Sequence, residues 1–545
     1  MNSLVLLLTG IILFFIAYLT YGRWLAKHWG VDVNKKTPAH TKFDNVDYCP
    51  ADAKVLLGHH FSSIAGAGPI AGPIQAAIFG WVPVMLWILI GSIFIGGVHD
   101  FGSLFASIRH GGNSIGEIIH ANIGQKGKKL FNVFAWVTLV LVVAAFTDIC
   151  ASTFAFDPSK PNVLVGAQAG TASILFILLA MVFGFLVYRR NAPLSIATVF
   201  GVALLFLCIY LGYTFPVLKL SKLQWQIILL IYITVASTMP VWLLLQPRDY
   251  LCSFLLYAML IGSFIGILVL HPTMKLAPVT SFNVKGQTLF PFLFVTVACG
   301  AVSGFHSLVS SGTSSKQLNS EKDAQLIGYG SMLIEGIVAI IALISVGYVM
   351  KAEGTPAAIF ASGTATFMNS FGLPLEVGKV FVILSFSAFA LTSLDTATRI
   401  GRYIFQEFFE VKEDGTRSPL ANMYVSTIIT VLCSLGLILY GYKKIWPIFG
   451  SANQLLAGLA LLSLTAWLAR RGKKTIMIVI PMVFMFAVTL SALFLIIKSY
   501  LFGAKPNYIL GVMAIILFIL ALVLIGEAYK TLKGLGKDGN KSIKA

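Results

Sequence analysis

The sequence predicts an all-α integral membrane protein with about fifteen transmembrane helices. Of its 545 residues, 57% are hydrophobic and only 11% are charged, whereas soluble globular proteins carry about 25% charged residues. The mean hydropathy of +0.87 also indicates that water is not the main solvent of this chain. Its apolar runs are continuous rather than alternating, which is typical of membrane helices and excludes an outer-membrane β-barrel.

The apolar runs give the number of helices. A bilayer core about 30 Å thick needs about 20 apolar residues per helix. Stretches that meet or approach this length cover residues 4–22, 56–79, 82–107, 131–155, 171–188, 194–214, 225–246, 250–270, 290–312, 326–349, 376–398, 420–441, 446–469, 475–498 and 508–528.

The distribution of charge sets the predicted orientation. A net charge of +18 also occurs in nucleic-acid-binding proteins, but here the basic residues lie in short loops between apolar runs. With the N-terminus outside, the inward loops carry roughly three times as many Lys and Arg residues as the outward loops, as expected of cytoplasmic loops. We therefore expect an external N-terminus, a cytoplasmic C-terminus, the lipid bilayer as a partner and no nucleic acid.

The apolar segment 56–79 contains five Gly or Pro residues within eight positions. This density is incompatible with a smooth helix, and irregular backbone at membrane depth is tolerated where it lines a cavity. We predict a discontinuous helix at a substrate site; the alternative is a kinked helix that packs closely against a neighbour. The substrate-binding candidates in this segment are Ala65, Gly66, Ala67, Gly68, Pro69, Gly72 and Gln75.

A second segment, 225–246, is interrupted near its middle by a Ser-Thr-Met-Pro run. Each interrupted segment begins a block of five segments, 56–214 and 225–398, and the two blocks cross the membrane in opposite senses. This arrangement predicts a five-plus-five inverted repeat. Residues 1–55 would then form an N-terminal helix and a cytoplasmic loop, and residues 420–545 four C-terminal helices and a short tail.

Titratable side chains inside apolar segments are costly, so each is a candidate functional group. Asp148 is the first candidate for a proton-carrying group and Glu335 is the second. Both are equally consistent with structural carboxylates that pair with hydroxyl or backbone groups. Asp395, His59 and His60 are further proton-coupling candidates.

Other polar residues in these segments suggest ion or substrate contacts. The two histidines of segment 56–79 could meet His99 and Asp100 at a metal ion, although their spacing matches no zinc motif. His306 is either a pH-responsive group or a hydrogen-bonded structural histidine. Ser310 and Ser311 are candidate Na⁺ ligands; the alternative is that these hydroxyls bond back to their own helix.

Several functional classes are excluded by the motifs that the chain lacks. It has no Walker A loop, no HExxH motif and no large soluble insertion, so we predict neither an enzyme nor a bound cofactor. Its six cysteines form no CxxC pair, which disfavours both a disulfide framework and a cysteine-type zinc site. An ion channel is a rival, but the polar positions are scattered and no filter-like repeat is present.

Several longer motifs resemble one known family. The chain resembles the carbon starvation protein A (CstA) family, which belongs to the amino acid–polyamine–organocation (APC) superfamily with the LeuT-type fold. The matching stretches are GHHFSSIAGAGPIAGPIQA (58–76), VHDFGSLFASIRHGG (98–112), ASTMPVWLLLQPRDYL (236–251), SGFHSLVSSGTSSKQL (303–318), LTSLDTATRIGRY (391–403) and FGSANQLLA (449–457).

The resemblance implies uptake of peptides or pyruvate across the bacterial inner membrane during carbon starvation. It also implies that a proton gradient drives uptake, with a sodium gradient as the alternative. Both substrates carry a carboxylate, which a helix N-terminus at the 66–72 break, Arg248 or Arg399 could hold. The alternative for both arginines is a positive-inside anchor. We also assign Gln246, Ser303 and His306 to substrate binding, and the oligomeric state stays open.

Overall fold

Helices form almost all of the described part of the protein. The computed structural model describes residues 1–44, 47–159, 163–284, 286–349, 354–409, 418–503 and 506–542. Within these ranges the only strands form a short antiparallel hairpin, in which Asn283 pairs with Thr288. The predicted all-α class is confirmed.

In the described ranges, thirteen α-helices precede the hairpin. They are α1 (Ser3–Ala17), α2 (Arg23–Trp29), α3 (Pro38–Thr41), α4 (Ala53–Ile64), α5 (Gly68–Ala76), α6 (Trp81–Gly91), α7 (Gly97–Arg109), α8 (Ile115–Asn122), α9 (Gln125–Phe154), α10 (Val165–Arg189), α11 (Leu194–Thr214), α12 (Lys222–Thr238) and α13 (Leu245–Leu270). Wide, π-helical turns at Tyr18–Gly22 and Ser92–Gly96 join α1 to α2 and α6 to α7.

The remaining elements follow the hairpin of β1 (Asn283–Val284) and β2 (Gln287–Thr288). They are α14 (Leu289–Thr296), α15 (Gly304–Val309), α16 (Ser315–Gln317), α17 (Ser331–Val349), α18 (Pro356–Asn369), α19 (Leu375–Phe409), α20 (Met423–Ile438), α21 (Tyr442–Arg470), α22 (Ile476–Phe502) and α23 (Tyr508–Ser542). Further π-helical turns lie at Ser310–Ser314 and Gln325–Gly330.

In the described part of the chain, 11 helices are long and apolar enough to cross a membrane. The other predicted segments are short or divided. Helix α12 has 17 residues and α20 has 16, while segments 56–79 and 290–312 are each split into separate helices. The structure therefore has the helix content of a multi-pass membrane protein.

The predicted break in segment 56–79 is present, but it is shorter than expected. Helix α4 ends at Ile64, residues 65–67 are not helical, and α5 begins at Gly68. The prediction of an unwound chain as far as Gly72 is therefore wrong. Pro69 lies in the first turn of α5, where its missing N–H leaves no intrahelical bond unmade, so it starts the new helix.

The second predicted break is also present, and the loop predicted after it is helical instead. Helix α12 ends at Thr238, Met239 is extended, and α13 begins only at Leu245. The residue before a proline is pushed towards extended backbone, which accounts for the end of α12 before Pro240. Residues 247–249, predicted as an inward loop, instead form the buried first turn of α13.

Two features were missed by the sequence analysis. The predicted helix 290–312 is interrupted at residues 297–303, between α14 and α15. Helix α18 lies in what was predicted as an outward loop, and it is capped by Thr355, whose side chain accepts the N–H of Ala358. Helix α19 begins near its predicted position but continues to Phe409, into the predicted loop 399–419, of which residues 410–417 lie outside the described ranges.

Helices α19 and α21 pack against many of the helices that surround these breaks. Helix α19 packs against α4, α9, α12, α13 and α18. Helix α21, from the predicted C-terminal group, packs against α9, α15 and α22. At the contact between α15 and α21, a Cβ on Gly304 would lie 2.5 Å from the backbone nitrogen of Ala457. Only glycine permits so close an approach.

We expect Gly304→Ala to lower the free energy of unfolding by about 1–3 kcal/mol, because the added methyl group overpacks a backbone contact. Gly436→Ala is the matched control, since Gly436 is a helical residue with nothing within 4 Å of an added Cβ. The measurement is the thermal unfolding midpoint of each purified variant in detergent. Equal midpoints for the two variants would contradict this packing.

Candidate functional site

Two groups of buried polar side chains lie near the break of α4. We call them the arginine cluster (His59, Tyr232, Arg248, Asp249 and Asp395) and the histidine cluster (His99, Asp100, His306 and Glu335). Charged groups away from water are stable only with partners. Each cluster is therefore described by its hydrogen bonds.

Arg248 lies at the centre of the arginine cluster. Its side chain is only 1% exposed, and its guanidinium forms an ion pair with Asp395 from α19. Tyr232 of α12 accepts a hydrogen bond from Arg248 Nη1 at 2.6 Å and donates one to Asp395 Oδ2 at 2.7 Å. The second guanidinium nitrogen, Nη2, lies 3.1 Å from Asp249 Oδ1. One buried cation is thus held between two carboxylates.

Asp249 joins this cluster to the end of α4. Its Oδ2 lies 2.9 Å from His59 Nδ1 and accepts a hydrogen bond from Ser63 Oγ at 3.2 Å. Ser62 Oγ donates to the Asp249 backbone carbonyl at 3.0 Å. The first turn of α13 is therefore fixed to the last turn of α4, immediately before the break.

Helix α19 contacts the carbonyl ends of α4 and α12. Ser393 Oγ donates to the Ser63 carbonyl of α4 at 2.9 Å. Arg399 Nη2 donates to the carbonyls of Ala236, at 3.0 Å, and of Met239 at the end of α12. The last carbonyls of a helix have no intrahelical partner, so α19 supplies donors at both breaks. Arg399, predicted as a carboxylate partner or a positive-inside anchor, caps α12.

The histidine cluster is fully buried. Asp100 accepts from His99 Nδ1 at 2.7 Å and from His306 Nδ1 at 2.8 Å, one at each carboxylate oxygen. The other ring nitrogen of His306, Nε2, lies 3.4 Å from Glu335 Oε2. Titratable side chains of α7, α15 and α17 therefore meet in this cluster.

The adjacent histidines of α4 point to different partners. His60 Nδ1 lies 2.7 Å from Ser314 Oγ, whereas His59 bonds to Asp249. The structure therefore brings His99 and Asp100 together but places His59 in the other cluster. A single metal site made of these four residues is not formed.

The remaining proton-coupling candidate lies outside both clusters. Asp148 Oδ1 is 2.7 Å from Lys222 Nζ and accepts a hydrogen bond from Gln226 Nε2 at 2.7 Å. The Lys222 side chain is 43% exposed.

The serine candidates lie at the start and end of α15. Ser303 Oγ accepts a hydrogen bond from Asn453 Nδ2 at 3.0 Å, and Asn453 Oδ1 accepts the backbone N–H of Phe305 at 2.8 Å. Helix α21 thus caps α15. Ser311 Oγ donates to the Ser307 carbonyl of the preceding turn at 2.7 Å, which is the alternative that the sequence left open. Ser310 is buried in the adjacent π-helical turn.

Two of the cavities formed by the described residues lie near the ends of the broken helices. One of about 310 Å³ is lined by residues that include Ser114, Ser311, Lys316, Tyr403 and Glu407. The other, of about 800 Å³, is lined by residues that include Gln75, Thr296, Trp446, Lys498 and Tyr500. Burial lowers the pKa of Lys316, but the oxygens of neighbouring tyrosines and carboxylates raise it to a net value above the ordinary one. The smaller cavity thus contains a stable cation.

Sequence reasoning missed several residues in and around the two clusters. Asp249 had a signal, since it stands beside Arg248 between apolar runs, but the pair was assigned to a loop. Asn453, an amide inside the apolar segment 446–469, had the same kind of signal. Tyr232 and Ser393 had none, because single Tyr and Ser residues are common in membrane helices.

We expect Ser393→Ala to lower the free energy of unfolding by about 1–3 kcal/mol, because the Ser63 carbonyl at the break loses its donor. Ser387→Ala is the matched control. Ser387 lies on the same helix, and its hydroxyl donates only to the Ile383 carbonyl of its own helix, at 2.7 Å. Thermal unfolding in detergent compares the two variants, and a loss as large in Ser387→Ala would contradict a special role for the Ser63 contact.

Comparison with known proteins identifies the same family that the sequence motifs resemble. A family model described as Carbon starvation protein CstA matches residues 2–355 and 347–492. The peptide transporter CstA of Escherichia coli (strain K12) is 33% identical, over 90% of this chain and 80% of its own length. The peptide transporter CstA of Bacillus subtilis (strain 168) is 30% identical, over 100% of this chain and 99% of its own. The pyruvate/proton symporter BtsT of Escherichia coli (strain K12) is 31% identical, over 93% and 82%.

A solved structure shares the fold. The manganese transporter of Eremococcus coleocola, in complex with an aromatic bis-isothiourea substituted compound, has a TM-score of 0.50 over 91% of this chain and 99% of its own. At 12% identity this likeness concerns the fold alone. The family model and the curated relatives cover far more than half of the sequence, and the chain therefore belongs to the carbon starvation protein CstA family.

Proposed function

We propose that this protein is a secondary active transporter of the bacterial inner membrane that takes up peptides or pyruvate in symport with protons. The observation that carries the proposal is the buried Arg248–Asp395 ion pair beside the break of α4. An intramembrane ion pair next to interrupted helices is typical of a substrate or ion pathway. Relatives named peptide transporter and pyruvate/proton symporter support the same class.

The proposed architecture is a LeuT-type core of the APC superfamily within fifteen transmembrane helices. It has inverted repeats at 56–214 and 225–398, preceded by residues 1–55 and followed by the helices of 420–545, with the N-terminus outside and the C-terminus in the cytoplasm. The breaks after α4 and α12, at the start of each repeat, support this assignment.

The proposed substrate contact is the guanidinium of Arg248. An arginine presents a planar pair of donors that matches a carboxylate, and both peptides and pyruvate carry one. In the observed state Asp395 occupies that position. Protonation of Asp395 removes its negative charge, so that a substrate carboxylate can replace it as the partner of Arg248. One proton would then enter with each substrate carboxylate, which is the basis of the proposed symport.

The surroundings of Asp395 favour this exchange over a role for Asp148. Tyr232, Arg248 and Asp249 face the Asp395 carboxylate, and Asp249 would remain beside Arg248 as its counter-charge after Asp395 is neutralised. Asp148 pairs with Lys222, which is not a substrate-binding candidate. We therefore move the coupling role from Asp148 to Asp395.

The substrate-binding candidates around the first break keep their proposed roles in this exchange. Those in and after the first break, residues 65–72, are proposed to line the substrate path between the two cavities. With the proposed orientation, the cavity lined by Gln75 opens outward and the cavity lined by Lys316 opens inward. The alternative is sodium symport, with Na⁺ held at Ser310 and Ser311.

Uptake into proteoliposomes tests the function directly. We expect labelled pyruvate or a labelled dipeptide to accumulate when an inward proton gradient is imposed and not when an equal sodium gradient is imposed. Accumulation only with sodium would move the ion to Ser310 and Ser311. Flux that does not saturate with substrate would indicate a channel and contradict the proposal.

The coupling role of Asp395 is tested by Asp395→Asn, which keeps the shape and the hydrogen bonds of the carboxyl group but cannot titrate. We expect this variant to lose accumulation driven by the proton gradient while it retains counterflow exchange of substrate. Asp148→Asn is the matched comparison, and we expect it to accumulate substrate. If Asp148→Asn loses accumulation and Asp395→Asn does not, Asp148 carries the proton and the exchange at Arg248 is wrong.

A further inference from the structure

Three side chains with different ligand atoms meet beside the break between α14 and α15. Cys299 lies in this break, His306 on α15 and Glu335 on α17, and all three are buried. One ligand atom of each lies within 4.8 Å of the other two. Among the described residues, this is the only group of three His, Cys, Asp or Glu residues with such a geometry.

The hydrogen bonds of His306 fix which ring nitrogen carries its proton. His306 Nδ1 lies 2.8 Å from the Asp100 carboxylate, so Nδ1 donates to Asp100. In the neutral ring, Nε2 then presents a lone pair towards Glu335 Oε2, which is 3.4 Å away. A lone pair that faces a carboxylate oxygen is repulsive unless a cation or a proton lies between them.

Glu335 has no hydrogen-bond donor among the described residues at either carboxylate oxygen, although it is fully buried. Buried polar groups are normally satisfied, because an unpartnered buried charge is costly. Asp100 adds a second buried carboxylate within the same cluster. Among the described residues, the ion pairs of this cluster include no Arg or Lys, so its two carboxylates are paired with histidines alone.

We propose that Cys299 Sγ, His306 Nε2 and a carboxylate oxygen of Glu335 bind a divalent transition-metal ion of the zinc type. Thiolate and imidazole ligands select such ions over Mg²⁺ and Ca²⁺, which prefer oxygen ligands alone. The Nε2–Oε2 distance of 3.4 Å fits two ligands of one ion with bonds of about 2.0–2.2 Å. Binding converts the Cys299 thiol into a thiolate and releases its proton to solvent.

The surrounding residues match the outer contacts of metal sites. A histidine that binds a metal commonly donates its other N–H to a carboxylate, which fixes the orientation of the ring. Asp100 has this position for His306, and His99 donates in turn to the second oxygen of Asp100. Asn453 Nδ2 lies 3.9 Å from Cys299 Sγ. Asp100 and Asn453 are thus positioning residues.

The proposed ion would connect the break at residues 297–303 to α17 and to the start of α5. A Cβ on Gly68 would clash with the Cys299 sulfur, so α5 begins directly against the site. This site is separate from the arginine cluster, and it goes beyond the proposed transport function. The ion would fix the break between α14 and α15 in position against the start of α5.

Metal analysis of the purified full-length protein tests the inference. We expect about one zinc ion per chain, removed by a strong chelator with a fall in the thermal unfolding midpoint. Titration of the chelator-treated protein with Co²⁺ should restore one ion and give the charge-transfer absorption of a cobalt–thiolate bond. This spectroscopic signature reports Cys299 directly and does not depend on transport.

Variants identify the ligands. We expect Cys299→Ser and Glu335→Gln to weaken Co²⁺ binding at least about 100-fold, and Asp100→Asn to weaken it about 10–100-fold. Cys150→Ser is the matched control, since Cys150 is equally buried but outside the group, and it should bind Co²⁺ like the unmodified protein. Asp395→Asn should also keep the ion.

The wild-type measurement keeps the inference falsifiable if a ligand variant does not fold. Purified wild-type protein that contains no metal and binds neither Zn²⁺ nor Co²⁺ would overturn it, and a proton shared by His306 and Glu335 would then explain the geometry. Equal loss of Co²⁺ binding in Cys150→Ser would overturn it as well. A protein that binds Co²⁺ at Cys299 but fails to transport would contradict the proposed function alone.

Discussion

The requirement that every backbone carbonyl inside a membrane finds a donor governs this structure. An unbroken helix meets that requirement by itself, but α4 and α12 end within predicted membrane segments. Their last carbonyls need donors from another element, because no water is available in the hydrocarbon core. Helix α19 supplies them through Ser393 and Arg399, which are six residues apart on one helix. The stability of both breaks therefore depends on the donors that α19 supplies.

The cost of leaving a polar group without a partner also explains why the buried charges form clusters rather than isolated sites. A lone charge in this interior would cost several kcal/mol, and in the two clusters the charged groups lie beside one another. Arg248 is held by carboxylates from its own helix and from α19, and Asp100 is held by two histidines. Helix α4 reaches the arginine cluster through His59, whereas the neighbouring His60 bonds to Ser314.

The C-terminal helices are part of this arrangement. Sequence reasoning placed residues 420–545 outside the repeats, with no assigned contact to the site. Asn453 of α21 caps the start of α15, the short helix that carries His306. Such a contact joins segments 148 residues apart, and local sequence patterns carry no information about pairing at that distance.

The sequence by itself determined that the chain lies in a membrane, where most of its helices are and where both predicted interruptions fall. It could do so because hydropathy, proline and glycine act locally. It also identified His306, Glu335 and Asp395 as costly intramembrane groups, since any such residue stands out against an apolar run. Only the tertiary structure decided their partners. Asp395 pairs with Arg248 across 147 residues, and His306 turns one nitrogen to Asp100 and the other to Glu335. These choices follow from how the helices pack, which depends on contacts between residues far apart in the chain.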